Sequence, residues 1–69
     1  MSDWQWHRTG DDEHDLITPD MEAYVTPYRR GYLWLVTFPG GAPMLECGPA
    51  RTVLGAKQCA RRAMRRWEA

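Results

Sequence analysis

Val53–Trp67, VLGAKQCARRAMRRW, is the stretch with a clear helical period, and its reading decides the fold. At about 100° per residue, Ala56, Cys59, Ala60, Ala63, Met64 and Trp67 fall with Val53 on one arc of roughly 140°. Lys57, Gln58, Arg61, Arg62, Arg65 and Arg66 fill the opposite side, and Leu54 and Gly55 alone blur the division. Thr52 is placed to cap the first turn, because its hydroxyl can accept an orphan backbone N–H. The arginines crowd the C-terminal half, where the helix macrodipole favours positive charge. The spacing predicts an amphipathic helix over residues 52–67. Its apolar face needs a partner surface, and its alanines let that surface come close.

Upstream, Tyr32-Leu33-Trp34-Leu35-Val36-Thr37-Phe38 is the strongest strand in the chain. Tyr32, Trp34, Val36 and Phe38 fall on one face and Leu33 and Leu35 on the other, the pattern of a central strand with something on each side. Arg29-Arg30-Gly31 reads as a hairpin turn before it, and Pro39-Gly40-Gly41-Ala42-Pro43 as a second turn after it. Tyr24-Val25-Thr26 is then a first strand that ends early or lies at an edge because of Pro27, and Met44-Leu45-Glu46-Cys47 is a third. Gly48-Pro49 leads into the helix.

The expected architecture is α+β: a three-stranded antiparallel meander over residues 23–48 with one C-terminal amphipathic helix on one face, β-β-β-α. Residues 1–22 are expected to form an acidic N-terminal arm and loop within the same single domain. In that arm, residues 3–8, DWQWHR, alternate as a short strand or extended arm, TGDDEHD is a loop, and Thr18-Pro19-Asp20 resembles a helix start. Because one sheet face would stay bare, the Trp4/Trp6 arm or the Leu16-Ile17 tether is expected to fold back over it.

With 69 residues the core is small, and four tryptophans offset that by the area each buries. No apolar run approaches a membrane span and no signal-peptide pattern opens the chain, so it is expected to be soluble and cytoplasmic. Cys47 and Cys59 lack a CxxC spacing and read as free buried thiols. The net charge of zero conceals a segregation. Up to Tyr28 there are seven acids and one base, and from Arg29 onward eight bases and two acids. Such asymmetry points to a charged partner or to two halves that attract each other.

Catalysis has little to work with. Ser2 is the only serine, no glycine-rich phosphate cradle is present, and the carboxylates of Asp11-Asp12-Glu13 sit in a stretch read as solvated loop. His7, His14, Cys47 and Cys59 have no recognisable zinc-ligand spacing. No enzyme activity, metal or cofactor is expected.

Residues 48–60, GPARTVLGAKQCA, resemble the end of a double-stranded-RNA-binding domain, where a strand runs through a glycine-rich turn into a helix with a basic start. Thr52, Ala56, Lys57 and Ala60 stand at matching spacings, whereas the family's phosphate-binding lysine pair would fall on Val53 and Leu54. The β-β-β-α order is also similar to the arm-binding domains of tyrosine recombinases, which read DNA with the sheet; the sheet residues here are large apolar groups instead. In format the chain resembles small phage-encoded inhibitors of the anti-CRISPR type. That likeness implies stoichiometric binding to a host protein complex with a positively charged DNA-binding surface. The residues to carry it are Asp11, Asp12, Glu13 and Asp15, supported by Asp20 and Glu22, acting as a DNA-mimicking acidic surface. The alternative is a small nucleic-acid-binding regulator that uses Lys57, Arg61, Arg62, Arg65 and Arg66 on the basic helix face.

Overall fold

A computed structural model of the protein describes residues 4–68. The chain forms strands β1 (His7–Gly10), β2 (Glu13–Ile17), β3 (Glu22–Tyr28), β4 (Gly31–Thr37) and β5 (Met44–Ala50), then helix α1 (Val53–Trp67). The strands make one antiparallel sheet in sequence order, β1-β2-β3-β4-β5. The class and the C-terminal helix are as expected, but the three-stranded meander is not: the sheet has five strands. The two additional strands come from the segment read as acidic arm and loop. TGDDEHD is a β-hairpin, with His7 opposite Asp15 and Gly10 opposite Glu13, and Asp12 takes φ +57° in its turn. Aspartate tolerates that left-handed conformation better than most residues. The helical turn expected at Thr18-Pro19-Asp20 is instead a tight connection. Thr18 Oγ1 donates to the Met21 carbonyl at 3.0 Å and accepts from the Met21 N–H at 2.9 Å.

Strand alternation divides the sheet into two unlike faces. Leu16, Ala23, Val25, Trp34 and Val36 point to the helix side and are buried. Helix α1 lies over β3, β4 and β5 and buries Ala56, Ala60, Ala63 and Met64 against them. Gly48 leaves room in the sheet for the Trp34 ring beneath that layer. It sits opposite Trp34, and a Cβ there would stand 3.0 Å from the indole. Thr52 caps α1 as expected, its hydroxyl accepting the Gly55 N–H at 2.9 Å. At the far end Arg66 and the Trp67 indole both donate to Glu46 on β5, at 2.7 Å each, and tie the last turn to the sheet.

Trp4 and Trp6 do not fold over the bare face. They lie against the core on the helix side, with Lys57 Nζ 5.7 Å above the Trp6 ring and the Arg61 guanidinium 5.9 Å above that of Trp4. Leu16 of the supposed tether is a wholly buried β2 residue on that same side. The arm therefore widens the helix layer, and no described segment packs over the opposite face of the sheet. Gly48-Pro49 does not end the third strand either; β5 runs through both to Ala50. Proline is tolerated there because β5 is the sheet's last strand, with one side free of partners.

Candidate functional site

The uncovered face is built by the residues that alternate with the core. One row runs across all five strands: His7, Asp15, Tyr24, Leu35 and Cys47. Beside it stand Thr26, Leu33 and Pro49 in one direction, and Ile17, Glu22 and Thr37 in the other. Ile17 is 60% exposed, Cys47 and Pro49 are exposed, and Tyr24, Leu33 and Leu35 are half-buried. The result is an apolar centre on β3 and β4 with carboxylates along β2.

Four of the six expected acids come together. Glu13 and Asp15 share the open face of β2, about 7 Å apart by strand rise, and Asp11 and Asp12 extend from the adjoining β1–β2 turn. Glu22, opposite Ile17, lies roughly 14 Å along the sheet from Glu13, and Asp20 projects from the turn beyond it. Three of the six acids, Asp12, Glu13 and Glu22, are held by neutral donors. Thr26 donates to Glu13 at 3.2 Å, Tyr32 to Asp12 at 3.3 Å, and the Tyr24 hydroxyl and the Gly40 N–H donate to Glu22. The Tyr24 and Gly40 bonds hold the Glu22 carboxyl below the usual range. The same carboxylate, with burial second, pushes the Tyr24 hydroxyl up to about 12. Burial first and Asp12 second raise Tyr32.

Ion pairing does not neutralise this surface. Among the described residues there are two salt bridges, Arg8–Asp11 at 3.9 Å and Arg66–Glu46 at 2.7 Å. The first lies within the acidic half of the chain and the second within the basic half, so neither joins the halves. Among the described residues no ion pair joins the two halves, contrary to the reading that they attract each other.

The basic helix residues are divided in their use. Lys57 and Arg61 cover tryptophan rings and Arg66 holds Glu46, which leaves Arg62 and Arg65 exposed beside Gln58. His14, on the helix side of β2, is held below its ordinary value by burial, then by Lys57 and Arg8. His7 and Cys47 stand at opposite edges of the sheet, and Cys59 lies on the helix beyond it. No group of three metal-ligating side chains forms among the described residues. Cys47 is an exposed thiol rather than the buried one expected, and both cysteines are free.

Sequence reasoning missed the apolar half of this surface, Ile17, Tyr24, Leu33 and Leu35. The signal for it was the two-faced apolar pattern of β4. No family model matches the chain, and no curated protein or solved structure matches it either. No helix among the described residues is long and apolar enough to cross a membrane.

Proposed function

We propose that this chain is a non-enzymatic inhibitor that docks onto a positively charged surface of a host nucleic-acid-handling complex and blocks DNA access there. The likeness in format to anti-CRISPR proteins makes a CRISPR-type complex the first target to test. The docking surface is the uncovered sheet face together with the β1–β2 hairpin. Asp11, Asp12, Glu13 and Asp15 supply the negative potential, with Asp20 and Glu22 in support. Ile17, Tyr24, Leu33 and Leu35 supply apolar area that can be desolvated. One observation carries the reading: Glu13, Asp15 and Glu22 stand on a face that no described helix covers, Asp11, Asp12 and Asp20 project from the turns beside it, and among the described residues only Asp11 of these six is paired with an arginine. A partner's cationic groove then provides both steering and counter-charge.

The test is capture from a host lysate by the wild-type chain and by a variant with Asp11, Asp12, Glu13 and Asp15 all changed to Lys. The expected result is a captured complex whose DNA binding is blocked, and loss of that capture in the variant. Bound partner also slows alkylation of Cys47, on the docking face, while leaving Cys59 unchanged. The second reading, a regulator that grips nucleic acid through Arg62 and Arg65, is favoured by their exposure. It requires salt-sensitive retardation of duplex DNA or RNA by the wild-type chain. Such retardation, lost on Arg62→Ala and Arg65→Ala, overturns the docking reading.

A further inference from the structure

A hollow lies at the end of the sheet away from Glu22, where the β3–β4 turn meets the β5–α1 junction. It encloses about 680 Å³ between Tyr28, Arg29, Arg30, Tyr32, Pro49 and Arg51. The pairing of Tyr32 with Ala50 brings the two segments together. Gly31 permits the close approach, since a Cβ there would stand 2.5 Å from the Ala50 carbonyl oxygen.

Three features of this hollow point to one kind of ligand. Tyr28 and Pro49, which share the open face of the sheet, line it with flat apolar rings, and Tyr32 closes it from the helix side. Three arginines line it and no carboxylate does, and none of the three arginines takes part in a salt bridge among the described residues. Arg29 also holds φ +57° in the hairpin turn, a conformation that glycine or asparagine adopts with less strain. Its guanidinium lies 5.4 Å from the centre of the Tyr28 ring, so the ring and the charge form one wall. An apolar ligand would leave three cations uncompensated, and bare phosphate would make no use of the rings. A flat base joined to a phosphate uses both.

We propose that this hollow binds a nucleoside 5′-phosphate, with the base against Tyr28 and Pro49 and the phosphate among Arg29, Arg30 and Arg51. The nucleotide is either free or the unpaired 5′ end of a single strand. A base inside a duplex has both faces stacked and does not enter, so this site is independent of the duplex test above.

The test is a titration of the full chain with AMP, adenosine, inorganic phosphate and a 5′-phosphorylated oligoadenylate, read by backbone amide shifts and calorimetry. AMP is expected to move the amides of residues 28–32 and 50–51. Adenosine and phosphate are each expected to bind at least roughly tenfold more weakly, as each makes half the contacts. Arg29→Gly suits the positive φ and so keeps the fold; it is expected to weaken AMP by roughly tenfold, as is Arg51→Ala. Tyr28→Ala weakens AMP while leaving phosphate unchanged. Tighter binding of the oligonucleotide than of AMP assigns the strand end, and equal binding assigns the free nucleotide. The proposal is overturned if AMP at millimolar concentration moves no amide in the hollow, if phosphate alone binds as well, or if Arg29→Gly has no effect. Charge reversal at Asp11, Glu13 and Asp15, sparing Asp12 because it holds the Tyr32 hydroxyl, leaves AMP binding in place, so this site and the docking surface fail or stand separately.

Discussion

The two faces of the sheet are made by the same strands, yet they answer to different demands. On the helix side Ala23, Val25 and Val36 are sealed beneath Ala56, Ala60, Ala63 and Met64. On the other side Tyr24, Leu33 and Leu35 are half-buried among carboxylates and one exposed thiol. Apolar content is therefore a poor guide to which face holds the protein together. What separates them is whether a close-packed layer excludes water, because the free energy follows the area removed from solvent. The helix-side face supports the fold, and the other face carries apolar area that the described residues cover only in part.

The sharpest way to break this contrast is to truncate one residue on each side. Met64→Ala leaves a void in the sealed layer and is expected to cost about 3 kcal/mol in denaturant unfolding, enough to unfold much of a chain this short. Leu35→Ser on the open face is expected to cost under about 1 kcal/mol, because water already reaches it. That substitution should instead weaken capture of the partner complex. Equal losses of stability from the two would mean that both faces are structural.

A smaller effect is expected at the joint between the layers. Arg66, with Trp67 contributing less, holds the Glu46 carboxyl below the usual range. A carboxyl depressed in the folded state contributes stability above its unfolded pKa and loses it as pH falls through its folded pKa. Glu46→Gln should therefore lower the melting temperature slightly at neutral pH, and no longer do so in acid or at high salt. The smallest effect belongs to His14. Its folded pKa lies below the ordinary 6.5, so the unfolded chain takes up the proton first. Stability is expected to decline gently as pH falls below about 6.5, and the decline should vanish in His14→Gln. A thermal melt series from neutral pH to well below 4.5 reads both.

The helix and β4 were legible because each buries a complete periodic face: the alanine stripe of α1 and the Trp34/Val36 face of β4. The β1–β2 hairpin was not legible, because it is at the sheet's margin and has one face in water. There its polar positions Glu13 and Asp15 alternate with His14 and Leu16, and a cluster of acids in so short a run reads as loop. The period of two was present, but a single buried leucine is a weak mark of it. β5 was cut short for a related reason. Gly48 and Pro49 are strand breakers in a central strand, whereas here one admits the Trp34 ring and the other sits where no neighbour needs its missing donor. The acids of the candidate surface were legible as residues. Their grouping with Leu33 and Leu35 required the register.

Pro49 has a further effect on how the protein behaves in quantity. A sheet with a free rim invites another chain to add a strand, and repeated addition produces fibres. An incoming strand at β5 meets a gap in the row of donors at Pro49, and at β1 it meets only four residues with an irregular register. Self-templated polymerisation is thus discouraged at both rims, so the molecule can be made at high dose without consuming itself.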